Sequence, residues 1–402
     1  MKWLMLLAVV EICLAQQPSV EEAWRLLRKG ERAQAIQVLH KVIESNPADA
    51  DARLLLGSLQ MEAGAKSEAI AQLSEAVRLR PRSAEAQNAL GEAYHNFGET
   101  RSGEEAFEKA ISLDPKFAQA QVNLGLVLLE EGKFDQAAPH LDQAEKLMGH
   151  SAEAAYPQYL RAKVYSVHNQ PGEAVRELNA AVSLRPDFEE AWSDLGQARK
   201  ENLDDDGALL AFERAAKLNP SDAVAQYRLG AEYLHRQKPH DAVEHLEQAY
   251  RLNPRDQSTL NAMQSALRQD GNIDEANKIK QQLAELLKEK DEANQNAVTA
   301  VRLNNEGAEL QKSGDLRGAA EKYREALQLN PEHVGIRVNY AVALLRLGVW
   351  TEGLNELHEA LRRDPENTTI KAALKDALAQ APPGLVPDWK DEWSRAARQQ
   401  SR

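Results

Sequence analysis

Ten histidines, one cysteine and 62 carboxylates are the residues from which this chain could assemble a reactive centre. A zinc site needs imidazoles along one helix face, but His235, His240 and His245 step by five residues and travel around a helix. No H-E-x-x-H pair occurs, so these histidines read as solvated or groove-lining. Cys13 is the only thiol, which leaves no internal disulfide and no cysteine ligand set. The segment GLVLLEEGK (125–133) has the flavour of a phosphate loop. However, Gly125 and Gly132 are separated by six residues instead of four, and neither Ser nor Thr follows Lys133. Carboxylates are spread throughout, so no acid–base pair stands out, and most read as surface charges that keep the chain soluble. The expectation is of no catalytic residue, no metal site and no cofactor.

The elements that would have to position such residues are legible from proline spacing. Pro47, Pro81 and Pro115, then Pro186, Pro220 and Pro254, then Pro331 and Pro365 step by 34 within each group. The two gaps are 71 and 77 residues, three and nine more than two periods. A fixed period of this length marks a repeated helix–turn–helix. With proline as position 32, ten repeats run 16–49, 50–83, 84–117, 118–151, 155–188, 189–222, 223–256, 257–290, 300–333 and 334–367, with short inserts at 152–154 and 291–299. Position 8 is glycine in six repeats (Gly57, Gly91, Gly125, Gly196, Gly230, Gly307) and alanine in three (Ala23, Ala162, Ala341). Position 20 is always small, from Ala35 to Gly353, and position 24 carries a bulky knob such as Phe107, Phe212, Tyr323 or leucine. Small residues at 8 and 20 let two helices approach closely while the knob fills the space beside them. Glycine at position 15 (Gly64, Gly98, Gly132, Gly348) suits a left-handed helix stop. Pro171 and Pro239 stand at position 17, where the second helix should begin.

This pattern, fullest in LGEAYHNFGETRSGEEAFEKAISLDP (90–115), resembles the tetratricopeptide repeat (TPR) family over residues 16–367. The resemblance implies an all-α, right-handed superhelical solenoid of about ten repeats plus a capping helix. It implies a non-catalytic scaffold or adaptor that binds a protein or peptide in its concave groove. The groove would be lined by positions 2, 5, 6, 9, 12 and 13 of each first helix. Asn123, Asn305 and Asn339 then form an interrupted asparagine ladder, or simply suit their helix positions, with Asp194 and Arg228 at the same position elsewhere. A carboxylate clamp is not legible, because Leu54, Leu55 and Ser58 stand where polar grips are needed. Tyr156, Tyr159, Lys163, Tyr227, Arg228 and His235 make the best candidate docking patch, since Tyr and Arg are favoured at interfaces. The alternative is that the tyrosines pack between repeats.

In repeat 8, Gln264, Lys280 and Lys288 replace the small, bulky and proline positions. Residues 272–312 therefore form one long helix, the preferred reading, or break at 291–299 as a hinge. The expected organisation is a signal peptide at 1–15, repeats at 16–290, the segment 291–299, repeats at 300–367, a capping helix at 368–381 and a Pro/Trp-containing tail at 382–402. MKWLMLLAVVEICLA reads as an export signal cut after Ala15, which places the mature chain in the bacterial periplasm or outside the cell. A lipid anchor at Cys13 (disfavoured by Ile12) and an uncleaved start are the alternatives. In the tail, Trp389 and Trp393 share a helical face that docks on the last repeat or offers peripheral partner or membrane contact. A net charge of −13 disfavours nucleic acid but suits a basic protein partner. No integral span is expected after signal cleavage, and the oligomeric state is open. The functional readings are an adaptor in envelope assembly or secretion, or a regulatory, substrate-recruiting subunit of a separate enzyme.

Overall fold

The computed structural model describes residues 18–365, 367–382 and 384–385. The expected signal (1–15) with Cys13, and the tail tryptophans Trp389 and Trp393, lie outside the described residues. Twenty α-helices and one short 3₁₀ turn, Ala152–Ala154, make up the described chain, and no strand occurs among those residues. The helices keep the proline frame: first (A) helices begin at Ala50, Ala84, Ala118, Ala155, Glu189, Ala223, Gln257 and Val334. Second (B) helices begin sixteen positions on, among them Lys66, Thr100, Pro171 and Pro239.

Each boundary has a local cause. Position 34 caps the next A helix in most repeats: Asp49 accepts from the Ala52 amide at 2.9 Å, and Ser83 from that of Ala86 at 3.1 Å, whereas Phe117 and Phe188 give no side-chain cap. Position 15 is left-handed throughout, as glycine at Gly64 (φ +75°) but as Asn169, Leu203 and Gln237 in three successive central repeats, at φ of 55°, 61° and 57°. The close approach at position 8 is also present. A Cβ on Gly125 would lie 2.6 Å from Leu141 Cδ2, and one on Gly196 would lie 2.5 Å from the Phe212 ring. Leu73, Leu141, Leu246 and the Tyr323 and Phe107 rings are almost fully buried at position 24. A fully buried side chain of this size stabilises by about 1.5–3 kcal/mol. The repeats therefore hold together by nearest-neighbour knobs instead of one central core.

The chain divides into two compact units, one ending at Gly271 and the other starting at Asn272. In the first, seven helix pairs stack in sequence order and helix Gln257–Gln269 follows. The second opens with one continuous helix, Ile273–Ser313, of 41 residues. With neither proline nor glycine before Gly307, the backbone meets no stop until Gly314 adopts φ +91°. Its middle, 288–296, is wholly exposed, so solvated charge and not a core accompanies that stretch. The division thus falls at the turn ahead of this helix, whereas the sequence frame sets it at 291–299. The last described helix, Thr368–Gln380, buries Ile370, Leu374 and Leu378 in a cluster with Leu354 and Leu357 of helix Trp350–Arg363. No described helix is long and apolar enough to cross a membrane.

Candidate functional site

Within the first unit, several A helices of neighbouring repeats touch, as Ala50–Glu62 does with Ala84–Asn96 and Ala118–Glu130 with Ala155–Val167, while successive B helices make no comparable contact among the described residues. The stack therefore bends towards its A side, and the A helices line the inner face. Polar links run across that face with a repeat offset. Asn123 Nδ2 donates to Asn88 Oδ1 at 2.9 Å and to Glu92 Oε1 at 2.8 Å, and its carbonyl accepts from Gln119 at 3.0 Å. In the second unit Asn339 Nδ2 donates to Asn304 Oδ1 at 2.9 Å. The ladder partner is thus Asn304, and the neighbouring Asn305 is exposed, because position 6 of one repeat meets position 5 of the preceding one. These amides tie repeats together, and Asn123 has both of its donors and its carbonyl engaged, which leaves it little capacity for a peptide.

A second polar set joins the two helices of single repeats at positions 4 and 23, which sequence reasoning missed. Arg53 Nη1 donates to Gln72 Oε1 at 2.9 Å, His140 pairs with Gln121 at 2.7 Å and His245 with Gln226 at 2.9 Å. Arg337 pairs with Glu356 at the same positions. The signal was available as polar residues recurring at two fixed positions of the frame. Burial pushes the His140 and His245 imidazoles below their usual pKa, so both stay neutral and satisfied.

The central patch is only partly one site. Helices Ala118–Glu130, Ala155–Val167 and Glu189–Glu201 frame a cavity of about 590 Å³ on the inner face. Leu126, Leu129, Phe134, Tyr156, Tyr159 and Val167 give it apolar walls, and Glu130, Lys163, Asp194 and Glu201 supply charge. Tyr159 lies 4.9 Å from the buried Phe188 ring, centroid to centroid, and Tyr156 lies 6.2 Å from Tyr159. Both tyrosines are half-buried: they pack against Phe188 and also line the cavity. Burial raises both phenol pKa values, so neither ionises at neutral pH. Lys163 Nζ lies 4.8 Å from the Tyr159 ring centre and 3.4 Å from Asp194 Oδ2. Desolvation pulls its pKa down, but the Tyr159 hydroxyl and Asp194 outweigh that and the net shift is upward. Arg228 Nη1 closes the chain on Asp194 Oδ1 at 3.0 Å and Ser193 Oγ at 2.7 Å.

Tyr227 is half-buried and outside this cavity's lining. His235 is elsewhere too, with ligand-type atoms within 4.8 Å of those of Asp205 and Glu232. Glu232 is buried and already bonded to Lys200 Nζ at 2.7 Å and Arg236 Nε at 2.8 Å. Burial raises its pKa, but those cations overcome that and hold it below the usual range. Two cations thus neutralise the carboxylate a metal would need, and the cluster is a structural ion network. Asn305 lines a separate open cavity of about 920 Å³ in the second unit, with Val298 and Val301. These cavities offer shape, apolar surface and fixed charge.

Two family models described as tetratricopeptide repeat match the chain, one over residues 26–93 and 310–381, the other over 89–157, 159–223 and 201–257. Among curated proteins, the anaphase-promoting complex subunit CDC16 of Saccharomyces cerevisiae is 23% identical over 217 residues, 54% of this chain and 26% of that protein. Sperm-associated antigen 1 of Mus musculus is 37% identical over 78 residues, 19% of this chain and 8% of that protein. The matched part of the chain thus spans about a quarter or less of these relatives' length. Among solved structures, PilW, a type IV pilus biogenesis factor, is similar at 16% identity and a TM-score of 0.49, over 53% of this chain and 98% of that one. YrrB, a TPR protein with an unusual peptide-binding site, is similar at 22% identity and a TM-score of 0.40, over 47% and 96% of the two chains. The 34-residue frame, the helix starts that keep it and the family matches that cover it lead to one assignment: the chain belongs to the tetratricopeptide repeat family.

Proposed function

We propose that the protein is a non-catalytic adaptor that holds a segment of a partner protein against the inner face of its first unit. The fold is that of a protein-interaction scaffold in general. The observation that supports this particular site is the tyrosine-lined cavity framed by three successive A helices, with the Lys163–Asp194–Arg228 chain fixed beside it. Rigid aromatic anchors next to fixed charges are what interface hot spots are made of. Crosslinking capture in native envelopes, compared between the unaltered chain, Tyr159→Ala and Arg228→Ala, tests it. Loss of a captured partner in Tyr159→Ala is expected, and retention of every partner in both variants would remove the central-groove reading.

The same proposal places the adaptor outside the cytoplasm, in envelope assembly or secretion, on the strength of the signal-like residues 1–15 alone. Intact-mass measurement of the mature chain checks this, since cleavage after Ala15 leaves Gln16 as its first residue. A mature mass that retains residues 1–15, with the chain in the cytosolic fraction, would refute it.

A further inference from the structure

The charge around the central cavity says what kind of segment it takes. Helices Ala118–Glu130, Ala155–Val167 and Glu189–Glu201 all reach the cavity with their C-terminal turns: Glu130, Val167 and Glu201 are their last residues and all three line it. A helix C-terminus carries about half a negative charge. Three such ends therefore meet at one rim, and two of them carry a carboxylate. Here most last-turn carbonyls already accept amides of the following turn, as Leu128 does from Lys133, Tyr165 from Gln170 and Arg199 from Asp204, so the rim carboxylates carry most of the field. The cations in and beside the lining are already paired. Lys163 is held by Asp194 and Tyr159, Lys133 lies on Glu104 and Glu131 at 3.0 and 2.7 Å, and Lys200 lies on Glu232 at 2.7 Å. Arg199 donates to the Gly207 carbonyl and to Asn179. Glu201 accepts from Gln197 at 2.8 Å and has no cationic partner among the described residues, and Glu130 has His95 at 3.5 Å. Inside this anionic rim the walls are Leu126, Leu129, Phe134, Tyr156 and Tyr159.

We infer that the cavity takes a large apolar or aromatic side chain from an extended segment of a partner protein, with a lysine or arginine beside it in sequence held at the rim by Glu130, Glu201 and the helix C-termini. The inference rests on the adaptor reading above and adds the partner's chemistry to it. An acidic segment would meet like charge, with the cation in the lining, Lys163, already held by Asp194, and an uncharged one would leave the rim unanswered. The net charge of −13 acts in the same direction at long range, speeding encounter with basic segments in a salt-dependent way.

The test uses the full chain and three fluorescein-labelled peptides with one extended scaffold: a central Trp flanked by Lys, the same peptide with Trp replaced by Ser, and the same with both Lys replaced by Glu. Fluorescence anisotropy at low and high salt reads binding. The Lys–Trp–Lys peptide should bind, and each altered peptide should bind at least tenfold more weakly. Glu130→Gln combined with Glu201→Gln should weaken the parent peptide about tenfold and flatten its salt dependence, with circular dichroism unchanged because both side chains are exposed. Tyr156→Ala should weaken binding equally at both salt concentrations. Equal or tighter binding of the Glu-flanked peptide, no effect of the double glutamine variant, or no binding of any of the three peptides would overturn the inference. A natural partner that is lost in Tyr159→Ala but insensitive to the double glutamine variant would overturn this chemistry and leave the adaptor reading standing. Retention of all partners in both Tyr159→Ala and Arg228→Ala would remove both.

Discussion

Gly196→Ala, made with and without Phe212→Leu, tests the packing rule on which every repeat depends. A Cβ at Gly196 would sit 2.5 Å from Cδ1 and Cε1 of Phe212 and 2.9 Å from Cγ, so the ring or the helices must move. Overpacking of this kind costs about 1–3 kcal/mol, and the better helix propensity of alanine returns up to about 1, leaving a net loss of about 1 kcal/mol. Phe212→Leu alone trims a buried ring and should cost about 1–2 kcal/mol. The natural repeats show how the two changes combine. Alanine at position 8 always faces leucine at position 24 (Ala23 with Leu39, Ala162 with Leu178, Ala341 with Leu357), and each aromatic knob (Phe107, Phe212, Tyr323) faces glycine. Leucine can swing its branches aside where a flat ring cannot, so the double variant should be no less stable than Phe212→Leu alone. The expected coupling is about 1–2 kcal/mol, well beyond the 0.5 or so at which distant sites add. Urea unfolding of the full chain, with hydrogen exchange of residues 189–218 to localise the effect, measures the four corners of the cycle. Free energies that add within about 0.5 kcal/mol would refute the reasoning, because they would mean that glycine and ring do not compete for one space.

Leu203 holds φ 61° with 91% of its surface exposed, so Leu203→Gly relieves a left-handed strain of about 1–2 kcal/mol against the added unfolded-state entropy of glycine. A gain of about 0.5–1 kcal/mol in urea is expected, and a loss would show that Leu203 makes a contact worth more than the strain. Glu189 is pushed up to about 7 by burial and by Asp222, with Glu190 adding to the effect and Arg228 opposing it. A carboxyl whose folded pKa exceeds its unfolded one stabilises fully below about 4.5 and loses that contribution as pH rises through about 7. Glu189→Gln should therefore gain on the unaltered chain between pH 5 and 8, by about 1 kcal/mol after discounting a partly exposed group for screening, and a pH-independent difference in Tm would contradict this. For His140 and His245 the sign is reversed: their depressed pKa values contribute stability above about 6.5 that is lost as pH falls further. Joint replacement by Gln should leave a shallower acid limb in Tm against pH, and an unchanged limb would place the acid sensitivity elsewhere.

The frame was readable because its determinants are local: proline at 32, a cap at 34, a left-handed residue at 15 and small residues at 8 and 20 each fix one turn or one helix contact without reference to distant parts. Helix starts at Ala84, Thr100 and Ala223 follow from that alone. Pairings across repeats were less legible, since neighbouring A helices are displaced by about one residue. Asn339 therefore meets Asn304, 35 positions away, and not a residue one period back. Tyr159 could be seen as an interface type but not as half-buried against Phe188, because Phe188 occupies a position where the frame expects a polar cap. His235 was grouped with the patch by repeat membership, and the structure seats it beside Asp205 and Glu232 instead.

The departures from the period around the cavity have a common logic. Gly149 takes the proline position with φ +63°, the 3₁₀ turn Ala152–Ala154 lengthens the connection, and Phe188 replaces a capping residue. Helices Ala155–Val167 and Glu189–Glu201 consequently start without a side-chain cap, at a loss of about 1 kcal/mol each. At Phe188 burial outweighs that loss. The ring is 4% exposed, backs Tyr159 at 4.9 Å and lies under the Arg185 guanidinium at 3.4 Å, which is worth about 1.5–3 kcal/mol of burial. Phe188→Asp would restore the cap and delete the backing, so it should destabilise by about 1–2 kcal/mol and free the Tyr159 ring. If the cavity is held open by that backing, the variant loses affinity for the Lys–Trp–Lys peptide beyond what its stability change explains, while Phe188→Leu keeps most of it. Equal affinity in Phe188→Asp would show that the tyrosines are set by their own helix, and that the lost cap served stacking alone.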